Sequence, residues 1–331
     1  MKKNLIVTGG AGFIGSWFVK KALNLGYKIF VIDKLTYSGN LSNLDEVKNN
    51  QDFEFIHKDI CDLAAVKKLI NESDPDGIFH FAAESHVDNS ISGPSPFIQT
   101  NLVGTYNLLE SAREYYFKIN REKARDFKFI HVSTDEVYGS LTKDEKPFSR
   151  STSYAPNSPY SATKAGSDHL ARAWHETYGL PVIITNCSNN YGPNQHPEKL
   201  IPKTIVHALE GKDIPIYGKG ENIRDWIYVE DHVDGVLLSY EKGHAGYKYL
   251  FGGDNEIRNI DLVHKTCEIL HEKTGKEYKN QIKFVVDRLG HDYRYAINSN
   301  DSKKELGFSN KFDFDTALRK TIDWYIEKYK N

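Results

Sequence analysis

Short runs of consecutive apolar residues alternate with helix-length amphipathic stretches through the first half of the chain. Asn4–Thr8 reads as a buried strand, and helical periodicity follows from Phe13 to Leu25, where Gly26 ends it. Further apolar runs occupy Lys28–Ile32, Phe53–His57, Gly77–Phe81, Phe127–Val132 and Pro181–Asn186. Helical patterns lie between them at Leu63–Asn71, Phe97–Tyr116 and Tyr160–Tyr178. Strands separated by helices predict βαβ units and a parallel sheet, with right-handed crossovers placing helices on both faces. The texture changes after Cys187. Residues 188–228 are rich in Asn, Gly, Pro and Tyr. Helical patterns then return at Val229–Glu241, Ile260–Glu272 and Asp313–Lys328, with short strands near Pro215–Tyr217 and Lys248–Phe251. The fold class is α/β: a Rossmann-type doubly wound parallel sheet over 1–188, with crossover segments around 229–251 returning to it, and a smaller mixed α/β domain over 189–331.

The length of 331 residues suits two domains at about 150 residues each. Lys and Arg total 43 against 45 Asp and Glu, a net charge of -2. That balance argues against a nucleic-acid binder built on basic excess and leaves room for a local basic pocket. Cys61, Cys187 and Cys267 show no C-x-x-C spacing, which argues against a disulfide framework or a cysteine zinc site. His175-Glu176 lacks the second His of H-E-x-x-H, so no metal is predicted. The apolar stretch near the N-terminus is shorter than a signal peptide requires, and no run reaches the ~20 residues of a membrane span. A cytoplasmic protein is expected.

Gly10-Ala11-Gly12-Phe13-Ile14-Gly15 fits G-x-G-x-x-G, with Gly9 before it, between the first strand and the first helix. Glycines there allow the tight turn and bring backbone N–H groups to a pyrophosphate. Asp33 ends the second strand, about 20 residues on, where an acid binds ribose hydroxyls and repels a 2′-phosphate, favouring NAD over NADP. The ends of the next two strands, Asp59-Ile60 and Phe81-Ala82-Ala83-Glu84-Ser85, face the same ligand because cofactors bind beyond the carboxyl ends of such sheets.

Tyr160 and Lys164 stand at i, i+4, so they share a helix face. Ser158 and Pro159 precede them as N-cap and first helical residue. A nearby ammonium lowers a phenol pKa and prepares a base for an alcohol proton. The fifth strand runs into Thr134-Asp135-Glu136, placing a hydroxyl and two carboxylates beside the cofactor. Carboxylates whose pKa values are pushed apart can remove one proton and supply another in an elimination of water.

These motifs resemble the extended short-chain dehydrogenase/reductases, and within them the nucleotide-sugar 4,6-dehydratases. The resemblance spans essentially the whole chain. It rests also on Ala82-Ala83-Glu84-Ser85-His86-Val87-Asp88, Ser133–Gly139, Ser158–Lys164, Asn189-Asn190-Tyr191-Gly192-Pro193, Pro197–Pro202, Arg224-Asp225-Trp226 and Asp287–Asp292. It implies an NAD-binding first domain and a sugar-nucleotide-binding second one. Contacts to NAD are implied for Gly9, Gly12, Phe13, Ile14, Gly15, Asp33, Lys34, Leu35, Thr36, Asp59, Ile60, Phe81, Ala82, Ala83, Ser85, Thr100 and Asn190, with Tyr160 and Lys164. Contacts to the sugar nucleotide are implied for Ser85, Thr134, Asn189, Lys199, Leu200, Pro215, Tyr217, Arg224, Asn259, Arg288 and His291. The implied reaction has Tyr160 take the C4 hydroxyl proton, Glu136 the C5 proton, and Asp135 protonate the departing C6 hydroxyl, with hydride passing to NAD and back. A guanidinium at Arg224 suits a bidentate grip on diphosphate. Tyr217 suits either base stacking or a core position.

The implied substrate is dTDP-glucose, feeding rhamnose or other deoxysugars. Asn89, Arg150, Asn194-Gln195 and Tyr293 depart from the bacterial pattern. Asn89 and Asn194-Gln195 are similar to UDP-glucose 4,6-dehydratases, so the base stays open between thymine and uracil. Epimerases of UDP-hexoses share the fold and the Tyr–Lys pair but typically lack both acids. UDP-glucuronate decarboxylases usually keep only the Glu, and a non-catalytic NAD sensor tends to lose the Tyr or the Lys. The resemblance also implies a homodimer built from the helices near 97–116 and 160–178.

Overall fold

The structure, a computed structural model, describes residues 2–329. Its strands in chain order are β1 (Asn4–Thr8), β2 (Lys28–Asp33), β3 (Phe53–His57), β4 (Gly77–His80), β5 (Lys128–Thr134), β6 (Val182–Cys187), β7 (Asn189–Tyr191), β8 (Ile214–Tyr217), β9 (Ile223–Tyr228), β10 (Lys248–Phe251), β11 (Glu256–Arg258) and β12 (Ile282–Val285). Seven form one sheet in the order β10-β6-β5-β4-β1-β2-β3, every pair parallel. This is the doubly wound α/β architecture the alternation of strands and helices predicts.

Successive residues of β1 serve opposite faces of the sheet, as strand pleating requires. Leu5 and Val7 pack into a core with helices Phe13–Asn24 and Val229–Lys242, while Ile6 packs into a core with Leu63–Ser73, Thr105–Tyr116 and Pro159–Tyr178. A third core joins helices Leu200–Leu209, Asn259–Thr274 and Phe314–Tyr329 to strands of the small sheets β11-β9-β7 and β12-β8. Ile14 and Trp17 border both the first and third cores, and the Trp17 indole donates to the Pro193 carbonyl at 2.9 Å. Helix Val229–Lys242 and β10 thus carry the chain back to the large sheet.

Three local differences from the sequence reading have physical causes. The ladder between β5 and β6 continues through Ser133↔Asn186 and Thr134↔Cys187, beyond the apolar run, because backbone pairing does not need apolar side chains. Helix Leu200–Leu209 lies inside the segment read only as Asn-, Gly- and Pro-rich. Pro202 sits in its first turn, where a missing N–H removes no helical bond. The predicted helix Phe97–Tyr116 is instead a turn at Ser95–Phe97, a π-helix at Ile98–Gly104 and an α-helix at Thr105–Tyr116. The wider turns bury Asn101, whose side chain accepts from the Glu84 amide at 2.9 Å and donates to the Glu84 carbonyl at 3.0 Å and to Thr163 Oγ1 at 3.0 Å. π-turns of this kind concentrate at functional sites.

Candidate active site

Strand order reverses between β1 and β4, and the cleft opens beyond their carboxyl ends, as open parallel sheets dictate. The glycine loop forms one wall. Gly9 has φ +69°, and a Cβ there would sit 2.6 Å from the Ala82 amide nitrogen. A Cβ on Gly15 would lie 2.2 Å from the Gly9 carbonyl oxygen. Gly12 is the N-cap of helix Phe13–Asn24 and supplies no side-chain cap, leaving first-turn N–H groups aimed into the cleft. These residues fit a dinucleotide pyrophosphate.

Asp33 is buried and accepts from the Ala11 amide at 3.0 Å and the Leu35 amide at 2.8 Å, so it fixes the loop as well as facing the ligand space. Burial raises its carboxyl, and the two amides oppose that shift. Lys34 donates to Thr100 Oγ1 at 3.0 Å and lies 3.5 Å from Asp59. The predicted cofactor residues Gly9, Gly12, Phe13, Ile14, Gly15, Asp33, Lys34, Thr36, Asp59, Ile60, Phe81, Ala82, Ala83, Ser85, Thr100, Tyr160, Lys164 and Asn190 all line this cleft. Leu35 does not: at φ +54° its side chain turns back to pack against the first core, and only its amide serves the site, on Asp33.

The end of β5 forms the floor. Thr134 caps the short helix Asp135–Tyr138 by accepting from the Glu136 amide at 3.2 Å. Opposite stands Tyr160, at the start of helix Pro159–Tyr178, whose N-terminus is set by a reciprocal Ser158–Ser161 capping box with Pro159 as first residue. The two acids have distinct surroundings. Asp135 is 1% exposed and its Oδ2 has no hydrogen-bond partner. Burial pushes its carboxyl well above the usual range, and the charges of Glu136 and Asp225 add to the shift. Glu136 is only part-buried. Burial raises it too, but Lys199, Arg224 and Arg288 pull it back toward the ionised form.

Lys164 lies on the same helix, one turn after Tyr160. Its ammonium donates to the Val132 carbonyl at 2.8 Å. Tyr160 lies well above the ordinary phenol value because it is buried, with Glu136 next in effect; hydrogen bonding from Thr134 opposes this.

A second pocket, between the two lobes, is continuous with the first through Glu136, Asn189, Asn190, Glu198 and Lys199. Leu200, Pro215, Tyr217, Arg224, Asn259, Arg288 and His291 line it, and Ser85 and Thr134 face it from the first. Arg224 stacks on Tyr295 at 4.1 Å and donates to the carbonyls of Ile223, Tyr293 and Asp292. Two of its five N–H groups stay without a protein partner among the described residues, enough for an anion. Arg288 makes a bidentate pair with Asp88, at 2.6 and 3.0 Å, across the cleft. Tyr217 is not core: its hydroxyl donates to the same Asp88 at 3.0 Å. His291 pairs with Asp287 at 2.6 Å. Asp88, on the short helix Val87–Ser92, belongs to the Ala82–Asp88 motif, and no local spacing links it to Arg288, 200 residues further along the chain. No cluster of metal-ligating side chains occurs among the described residues, and no helix among them is long and apolar enough to cross a membrane.

The model of the GDP-mannose 4,6 dehydratase family matches residues 6–321. The chain belongs to that family. Among its members, the dTDP-glucose 4,6-dehydratase of Shigella flexneri is 52% identical, over 97% of this chain and 92% of that one. DesIV, a dTDP-glucose 4,6-dehydratase from Streptomyces venezuelae solved with NAD bound, superposes with a TM-score of 0.91 at 43% identity, covering 99% and 98% of the two chains. The UDP-glucose 4-epimerase of Thermotoga maritima shares the fold, at TM-score 0.87 and 29% identity over 98% and 99%.

Proposed function

We propose that this chain is an NAD-dependent dTDP-glucose 4,6-dehydratase, a hydro-lyase that makes dTDP-4-keto-6-deoxyglucose for deoxysugar biosynthesis in the cytoplasm. The observation that carries the reading is the pair of adjacent carboxyls held in different surroundings beside Tyr160: Asp135 buried with an unpartnered oxygen and its carboxyl pushed well up, Glu136 facing three cations that oppose its rise. Thr134 holds the C4 oxygen while Tyr160 takes its proton. Glu136 removes the proton at C5, made acidic by the new ketone. Asp135 protonates the C6 hydroxyl as it leaves. Lys164 holds the ribose side of the cofactor. NAD, when bound, supplies a hydride acceptor that later becomes a donor, and a positive charge that favours the Tyr160 phenolate. The glycine loop, Asp33 and Lys34 hold it; Arg224, Arg288 and Lys199 hold the substrate diphosphate. Residues 1–188 with 229–251 then serve the cofactor and the remainder of 189–331 the sugar nucleotide. A homodimer through the helices near 97–116 and 160–178 is part of the same reading.

The test is a product assay with dTDP-glucose and UDP-glucose side by side, read by mass spectrometry. Loss of one water from dTDP-glucose alone is the expected outcome. Loss from UDP-glucose alone reassigns the base and gives meaning to Asn89 and Asn194. An epimer without water loss from either sugar overturns the roles of both acids.

A further inference from the structure

Behind the catalytic turn lies a buried polar cluster to which neither the family likeness nor the mechanism gives a task. His131, Ser167, Asp168 and Asn186 are each at most 1% exposed. His131 shares its Nε2–H between Asp168 Oδ1 and Ser167 Oγ, both at 3.1 Å, a tautomer assigned from those two acceptors. Ser167 in turn donates to the Lys164 carbonyl at 2.8 Å. The other Asp168 oxygen accepts from the Tyr154 hydroxyl at 2.8 Å and from Asn186 Nδ2 at 3.2 Å. The second N–H of that amide donates to the Thr134 carbonyl at 2.9 Å, and Asn186 Oδ1 accepts from the Tyr138 hydroxyl at 3.2 Å.

The two catalytic elements therefore meet on one carboxylate. Through Asn186 it holds the peptide that begins Thr134-Asp135-Glu136, and Tyr138 closes the same turn. Through His131 and Ser167 it holds the helix backbone at Lys164. We propose that Asp168 is a positioning residue for the dehydration: it keeps the acid-bearing strand end and the Tyr160–Lys164 helix face in one fixed relation without touching substrate. The inference rests on the dehydratase reading above. Burial works against its charge, yet the donors around it and Lys164 hold the carboxyl below the usual range. An amide in its place sets an NH2 group against at least one of three donors, so the substitution breaks the junction while keeping its shape.

The experiment compares Asp168→Asn and Tyr154→Phe with wild type on dTDP-glucose, scaling rates to the folded, NAD-binding fraction. The expected result for Asp168→Asn is a kcat lower by about tenfold to a hundredfold, the penalty of misplaced reacting groups, with KM within about twofold of wild type. Tyr154→Phe loses one donor at a half-buried hydroxyl and shows a smaller fall in kcat, again at unchanged KM. If Asp168→Asn does not fold, Tyr154→Phe decides alone. A kcat per folded site equal to wild type in the folded variants overturns the proposal, as does a loss that appears only in KM or only in the folded fraction. A wild-type chain that removes no water from dTDP-glucose overturns both readings; one that does, with unchanged variants, overturns this one alone.

Discussion

Asp135 and Glu136 are neighbours in sequence but differ in environment, and the proposed division of labour follows that difference. Asp135 is enclosed with an unpartnered oxygen, so its neutral form can donate; Glu136 faces Lys199, Arg224 and Arg288. Asp135→Asn is expected to abolish water loss by about a hundredfold or more, as removal of a general acid does, while oxidation at C4 still proceeds. The sign of that outcome is the near-ultraviolet absorbance of reduced nicotinamide persisting on the enzyme without product. Asp225 adds a pH signature. It is 1% exposed, and burial raises its carboxyl from 3.8 to about 6, although it accepts from the Gly253 and Asn255 amides. The folded chain then binds a proton that the unfolded chain has released, so stability falls as pH rises through that window. Asp225→Asn lacks this titration. Its unfolding free energy relative to wild type should rise by up to about 3 kcal/mol between about pH 4 and about pH 7. A difference that stays flat across that range contradicts the buried, raised carboxyl.

The glycine loop acts as a single element, because the turn at Gly9 and the helix start at Gly15 occupy the same space. Gly15→Ala places a methyl group against the Gly9 carbonyl, 2.2 Å away, and against the Gly10 Cα at 2.9 Å. The loop must open to relieve this. NAD binding, measured by fluorescence titration, should weaken by about a hundredfold while the helical circular dichroism stays native. Such a loop is legible in a sequence because its glycines have no other use, and the βα alternation around it is legible because each element buries one apolar face. Polar elements behave differently. β7 and β9 carry Asn190, Arg224 and Asp225, which reach His232, Asp292 and Gly253 far away in sequence, so no local period announces them. His131 sits inside the apolar run Phe129-Ile130-His131-Val132, which was itself a signal that it has a buried partner. That partner, Asp168, stands on a helix whose sequence signals are the Tyr160–Lys164 spacing and an apolar dimer face. The tyrosine–lysine spacing was visible too, but not that the ammonium would face a backbone carbonyl.

At the scale of the whole molecule, two features cross between parts. Asp88, after β4, and Arg288, after β12, join the lobes over the cleft by a bidentate pair backed by the Tyr217 hydroxyl. The other is an uncovered aromatic and aliphatic face. Ile98, Val103, Tyr106 and Tyr178 are each 38% exposed or more, and Tyr106 and Tyr178 both pack edge-on against Trp174. The homodimer proposed above would cover this face with a second copy of the chain. Sedimentation should give twice the chain mass for wild type, and Tyr106→Asp should sediment as a single chain; a monomeric wild type contradicts the dimer. The π-helix at Ile98–Gly104 lies in the same stretch, and it makes spacing matter there more than identity. Shortening it by one residue to a regular α-helix would swing everything downstream by about 100° around the axis. Leu108, Leu109 and Ala112 would then leave the sheet, while Thr100 and Asn101 kept their posts. The residue count of this one helix therefore ties the cofactor cleft to the sheet core.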